Sequence, residues 1–375
     1  MTATPPRPAA APSADGSVGQ SVGESVDQSV GESVDQSVRQ SVDQSVGQSV
    51  RQSVRQSVGE AARSTGPQLT PARRPVDARI KALRRFAASI TVFNILGHSW
   101  LGFEQARIVP ILCVLASYTA ALVFETLDAW ALGRRPEYAG GWRPLIDFLL
   151  PAHIVGLACG MILYGNSSPW PYVFAVVVSN ASKYLVRVRV RGRRRHVFNP
   201  SNSGIAVTLA LFPWVGGAPP YQFTNFTTGV VDWLLPVVVL FTGTMLNAKL
   251  TRKMPLILGW AGGFVAQAVL RSVFFGHSLV GALIPLTGVS FILFTNYMIT
   301  DPGTTPVRPL RQVVFGAGTA LVYGLLVVCG IAFGFFFALM VTCGLRGVAM
   351  FAGPRFTAFR VDRERRRAPE PAAAR

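Results

Sequence analysis

Acidic residues are scarce in this chain. Only 18 Asp and Glu stand against 36 Lys and Arg, and all charged residues together make up 14% of 375 positions. A soluble domain carries about a quarter of its residues charged, so a water-covered globular surface is excluded. Cysteine is as scarce: Cys113, Cys159, Cys329 and Cys343 lie far apart inside apolar runs, with no CxxC pair and no histidine at ligand spacing. That pattern excludes a disulfide framework, a zinc site and an iron-sulfur cluster, and leaves the four as small buried hydrophobes. No metal ligands are assigned. Of the four histidines, His98 and His153 fall at membrane depth without neighbours of their own kind, which favours hydrogen-bonded structural roles over haem ligation or proton relay. The sequence shows neither a nucleophile nor an acid–base dyad, so no catalytic residue is assigned, and it lacks an NADH-binding fingerprint.

Apolar residues are what the chain has: 50% hydrophobic, 24 Phe and a mean hydropathy of +0.37. This composition predicts an all-α polytopic protein of the cell membrane, with the lipid bilayer as its main partner. The net charge of +18 would point to nucleic acid in a soluble protein. Here the basic residues sit between apolar runs, where they set topology, and no nucleic-acid partner is expected.

The first 75 residues have a different character. From Gly16 to Glu60 a four-residue unit repeats with Ser-Val fixed, as in "QSVGESVDQSV". One Val in four, drifting around a 3.6-residue turn, buries too little to offset ordering entropy, so residues 1–75 are expected to form a disordered low-complexity tail. A weakly helical Val stripe, or an upstream repeat wrongly included in the reading frame, are the alternatives. A basic start followed by an apolar core is missing, so no signal peptide is expected. The transmembrane domain is assigned to 76–353, opening on "VDARIKALRRF" as a basic amphipathic helix at the membrane surface. A basic cytoplasmic tail covers 354–375.

Ten apolar stretches of spanning length follow, near 86–103, 106–126, 146–165, 168–187, 198–216, 229–247, 254–275, 278–299, 312–328 and 330–352. The last two form one run that must turn back near Cys329 and Gly330, because a single helix of that length would overshoot the bilayer. The connections after spans two, four, six and eight carry Arg134, Arg135 and Arg143; Lys183 through Arg195; Lys249, Arg252 and Lys253; and Arg308 and Arg311. The alternate connections carry almost no basic residue, Arg107 and Arg271 being the main exceptions. Ten spans with both termini cytoplasmic satisfy the positive-inside rule. "RVRVRGRRRH", the largest basic cluster, then anchors span five, with contact to anionic lipid as a further role.

Topology has no use for the residues that follow it. In "FNPSNSG", Pro200 opens a helix where a missing N–H costs little, and Asn199 or Ser201 can cap its orphan amides. Asn199, Ser201, Asn202 and Ser203 also place several uncharged hydrogen-bonding groups at a membrane-embedded helix start, where an anionic or amide-rich ligand could be held. The second constellation is "FTNYMITDPGTTPVRPLRQVVFG". Asp301, Pro302 and Gly303 form a turn signal, accompanied by Thr295, Asn296, Thr300, Thr304 and Thr305, and such polar clusters at membrane depth face the protein interior or a ligand. The topology puts both constellations on the cytoplasmic side, where they could meet.

These two stretches resemble a family. "HVFNPSNSGIAVTLALFP" is similar to the Phe-Asn-Pro-Ala segment of the RnfD and NqrB subunits of ion-coupled membrane redox complexes, and "FILFTNYMITDPGTTPVRPLRQVVFG" to their late Thr-Asp-Pro segment. The long basic connection and "NPSNSG" resemble most the actinobacterial enediyne biosynthesis protein UnbU branch. The resemblance implies a non-autonomous, flavin-associated electron-transfer subunit in enediyne-type natural-product biosynthesis, working with partner redox subunits or biosynthetic enzymes. FMN or riboflavin would be held noncovalently near Asn199, Pro200, Ser201, Asn202, Ser203, Thr300, Asp301, Thr304 and Thr305. Family members carry one FMN on a Thr in a Ser-x-Ala-Thr type motif of the outer connection after the Asn-Pro span. Here that connection, 215–233, offers Thr224, Thr227 and Thr228 without those neighbours, so covalent attachment is not expected. The alternative function is a transporter or export helper for a natural product, with Glu125 and Asp147 as candidate gating groups; interfacial pairing with nearby arginines is the plainer role for both.

Overall fold

A computed structural model describes residues 75–190, 192–219 and 222–367. The repeat segment and the end of the basic C-terminal tail lie outside the described residues. Eleven α-helices carry the fold: α1 Pro75–Ser99, α2 Val109–Ala131, α3 Trp142–Ile162, α4 Trp170–Leu185, α5 Pro200–Leu211, α6 Val230–Leu246, α7 Met254–Phe275, α8 Leu279–Leu283, α9 Val289–Leu293, α10 Pro309–Val328 and α11 Gly334–Arg367. Two π-helical segments, Asn247–Thr251 after α6 and Phe294–Met298 after α9, continue their helices. Two short antiparallel pairs complete the described chain: β1 Leu163–Tyr164 with β4 Gly216–Gly217, and β2 Arg187–Val190 with β3 Arg193–His196.

Every apolar stretch found in the sequence contains helix, but the helices differ in reach. Among the described residues six are long and apolar enough to cross a membrane: Val109–Ala131, Trp142–Ile162, Val230–Thr251, Met254–Phe275, Pro309–Val328 and Gly334–Ala352. The pair Leu279–Thr287 and Val289–Met298, bent by 65°, makes a seventh if it is one broken span. The 16 residues of α4 and the 12 of α5 rise only about 24 and 18 Å, short of a hydrocarbon core of about 30 Å. The expected surface helix and first span are one continuous helix, α1, whose first half carries Lys81, Arg84 and Arg85. The expected turn near Cys329 is present: α10 stops at Val328, and Gly330 and Phe333 take φ of 71° and 57° before α11 begins.

The core is built by close helix approach. Along α7 and α10 the contact is made by glycines: a Cβ at Gly259 would lie 2.5 Å from the Val313 carbonyl, and one at Gly316 would lie 2.4 Å from the Leu256 carbonyl. Gly204 of α5 meets the Ala175 carbonyl of α4 in the same way, at 2.1 Å. Small residues at such crossings let backbones touch where lipid offers no hydrophobic drive between helices. Trp260 lies fully buried beside them, with the rings of Phe264, Phe291, Phe294, Tyr323 and Phe335 within 6.2 Å. Its indole N–H donates to Thr295 Oγ1 at 2.9 Å, which satisfies the one polar group it buries.

Candidate functional site

Local chemistry fixes the start of α5. Asn199 has extended backbone (φ −64°, ψ 124°) and is the N-cap, its Oδ1 accepting from the Asn202 amide at 3.2 Å and the Ser201 hydroxyl at 3.0 Å. Pro200 follows at the first helical position, where its missing N–H leaves nothing unsatisfied. The other end of the Asn199 side chain reaches the second constellation: Nδ2 donates to the Met298 carbonyl at 2.9 Å. The two segments, read separately from the sequence, are thus joined directly. Asn202 ties the same corner to α11 by donating from Nδ2 to the Phe336 carbonyl at 2.9 Å, while its Oδ1 is buried without a partner among the described residues.

The Asp-Pro turn is a closed hydrogen-bonded unit. Asp301 Oδ1 accepts from the Gly303 amide and Oδ2 from the Thr304 hydroxyl, both at 3.0 Å. Thr305 donates to the Asp301 carbonyl, and Thr300 to the Asn296 carbonyl. Basic side chains from three other elements surround this turn. His196 of β3 places Nε2 3.9 Å from Asp301 Oδ2. Lys253 at the start of α7 donates to the Pro306 carbonyl at 2.7 Å, and Arg346 of α11 to the Thr304 carbonyl at 2.8 Å. Burial acts to raise the Asp301 pKa, but His196, the Gly303 amide and the Thr304 hydroxyl outweigh it and hold the carboxyl below its ordinary range. Burial pushes Lys253 down to about 8, against the attraction of Asp301 and with the repulsion of Arg346.

Beneath the turn the two π segments touch. Asn247 donates from Nδ2 to the Asn296 carbonyl at 2.7 Å and takes the Thr251 hydroxyl on Oδ1 at 2.8 Å. A Cβ on Gly243 would fall 2.6 Å from that of Asn296, so glycine is what lets α6 come so close. Single π turns widen a helix and free carbonyls from the regular ladder, and they recur at functional sites.

The candidate residues therefore come together, but they differ in what they offer. Ser203 spends its hydroxyl on the Pro200 carbonyl, and Thr300, Thr304 and Thr305 spend theirs within the turn. These shape the site. The groups that could meet a bound molecule are Asn202 Oδ1 and the cations Lys253 and Arg346, and neither cation is legible as a site residue from the sequence. An arginine inside an apolar stretch is the signal that points to Arg346; Lys253 is masked by a connection in which basic residues serve topology.

The remaining candidates are held in structural contacts. Glu125, 2% exposed, is clamped by Arg134 at 2.6 and 3.2 Å and also accepts from the Glu137 amide and the Tyr184 hydroxyl. Asp147 pairs with Arg84 at 2.7 Å. His153 links α1, α2 and α3 through Thr91 at 2.8 Å and Tyr118 at 2.9 Å. Because the Thr91 hydroxyl proton goes to the Ala87 carbonyl, Nε2 is the protonated nitrogen and Tyr118 donates to Nδ1. His98 Nδ1 pairs with the Asn94 carbonyl. In the connection before α6, the Thr227 hydroxyl donates to Asp232.

No family model matches the chain, and no curated protein matches it in sequence.

Proposed function

We propose that the chain is a membrane-embedded electron-transfer subunit of the RnfD/NqrB kind, crossing the cell membrane ten times with both termini cytoplasmic, and holding FMN or riboflavin noncovalently. It would serve enediyne-type natural-product biosynthesis through partner redox subunits or biosynthetic enzymes. The observation that supports this reading is the Asn199 to Met298 hydrogen bond, which unites the two segments carrying the family resemblance. The polar set would suit an isoalloxazine: Asn202 Oδ1 is a buried acceptor that could take an N–H, and Lys253 and Arg346 would offset the negative charge a reduced ring gains. The flavin would supply the electron-accepting chemistry. Asn199 and Asp301 would position the binding groups.

Purified full chain in neutral detergent, incubated with FMN or riboflavin, should quench flavin fluorescence saturably and release all flavin on denaturation. Asn202→Leu should weaken binding roughly tenfold to a hundredfold, the loss of one buried hydrogen bond. A flavin band that survives denaturing electrophoresis and vanishes in Thr227→Ala or Thr228→Ala would replace the noncovalent assignment. Absence of quenching by either flavin would defeat the redox reading. The transport reading would then stand in its place, supported by the 65° break between α8 and α9, since discontinuous helices line the substrate sites of many transporters.

A further inference from the structure

Arg271 breaks the charge pattern of the chain, lying between basic connections rather than in one. It continues a stripe of α7, Trp260, Phe264, Gln267 and Arg271, all four buried, whose spacing of four, three and four residues keeps one face toward α10. Arg271 itself is 7% exposed. Its Nε donates to Gln267 Oε1 at 2.7 Å, and Gln267 is spent in turn on the Phe264 carbonyl at 2.8 Å. Among the described residues no carboxylate pairs with Arg271: Asp147 is taken by Arg84, and Glu125 and Asp128 by Arg134 and Arg187. A guanidinium has five N–H donors, and one neutral oxygen leaves the fork itself unused. Tyr323 of α10 lies against the same stripe, its ring stacked on Phe264 with centroids 5.2 Å apart, with no hydrogen bond to its hydroxyl among the described residues.

An unpaired cation inside a membrane helix is costly unless something neutralises it. The fork geometry of arginine matches two oxygens of one oxyanion. Beside Arg271 on the same flank of α7, Leu270 and Phe274 are exposed apolar surface, suited to the apolar body of the molecule that bears the anion. We propose that Arg271, with Gln267 and Tyr323, forms a binding site for a phosphate or carboxylate oxyanion. This site is distinct from the Asp-Pro cluster, since 18 residues of helix separate Arg271 from Lys253, roughly 27 Å.

The test is thermal unfolding of the full chain in neutral-detergent micelles, titrated in parallel with phosphatidylglycerol, phosphatidylcholine and inorganic phosphate. A saturable rise in Tm is expected with phosphatidylglycerol if a lipid headgroup is the natural occupant, and with inorganic phosphate also if a soluble oxyanion suffices. Phosphatidylcholine should have a clearly smaller effect. Arg271→Met should move half-saturation at least tenfold higher while leaving Tm without anion unchanged or raised, because a buried unpaired charge is removed. Arg135→Gln with Arg143→Gln, exposed where α2 ends and α3 begins, should leave the response as in the wild type. No anion effect, an equal effect of phosphatidylcholine, or a wild-type response in Arg271→Met would overturn the proposal. Should Arg271→Met not accumulate, Arg271→Lys decides: it keeps charge and loses the fork, so half-saturation should again rise about tenfold, and an unchanged value would overturn the site.

Discussion

Lys253 carries an ammonium into a place that water hardly reaches, at 4% exposure. Its folded pKa of about 8 lies below the ordinary value near 10.4. Between those two values the unfolded chain binds more protons than the folded one, so stability rises as pH rises through this window. Relative to Lys253→Met, the wild type should gain on the order of 3 kcal/mol between about pH 7 and about pH 11, measured by denaturant unfolding in micelles at fixed ionic strength. Equal slopes for both proteins would show that Lys253 is solvated. Asp301 acts in the opposite direction. Its pKa is lowered, so its contribution is complete above the unfolded value near 4 and is lost as pH falls through the lowered one. Asp301→Asn should therefore be less stable than the wild type at neutral pH, with the difference closing in acid. The polar residue types of this cluster were legible in the sequence because asparagine, proline and threonine are unusual beside apolar runs. The roles of Lys253 and Arg346 were not, since a basic residue near a membrane helix end has a topological explanation until its burial is seen.

The elements were legible to the extent that they are local. Asn199 and Pro200 mark the start of α5 through capping chemistry that any three residues can express. Gly330 marks the reversal before α11 through a φ of 71° that glycine adopts freely. The π segments were not legible, because Asn247 and Asn296 stabilise each other across two distant stretches. Hydropathy also overstates α5: the stretch of spanning length runs over 198–216, but the helix covers only 12 residues, since the chain turns aside at Phe212 and Pro213. Helix contact gives a sharper prediction. Gly316→Ala and Gly259→Ala each drive a Cβ into backbone that cannot move aside, so each should cost about 1–3 kcal/mol. Gly318→Ala on the same α10, with open space around it, should cost nothing measurable. Thermal unfolding of the three variants decides it; equal Tm values would mean that α7 and α10 are not in contact.

For the molecule as a whole, the question that charge alternation leaves open is whether α5 takes the chain across the membrane. Gln222 is buried and unsuited to labelling, but Arg194 and Thr228 are exposed on either side of α5. In a Cys329→Ser background, which removes the exposed native thiol, Arg194→Cys and Thr228→Cys should react with an impermeant maleimide from opposite faces of oriented vesicles. Reaction from the same face would reduce the ten-span topology to one in which α5 enters and returns. Charge alternation was readable along the chain because lysine and arginine report their side of the membrane one loop at a time, whereas depth depends on helix length, which only the folded chain displays.

The backbone contact of α7 with α10 has a mechanical meaning. Where Gly259 and Gly316 meet the opposite backbone no side chain lies between the helices to slip or change rotamer, so at that crossing neither can rotate or slide without the other. The pair is a strut. Lys253 and the Pro306 carbonyl stand at one end of it and Arg271 with Tyr323 at the other. Any displacement imposed at one end must then be felt at the other as a rigid tilt.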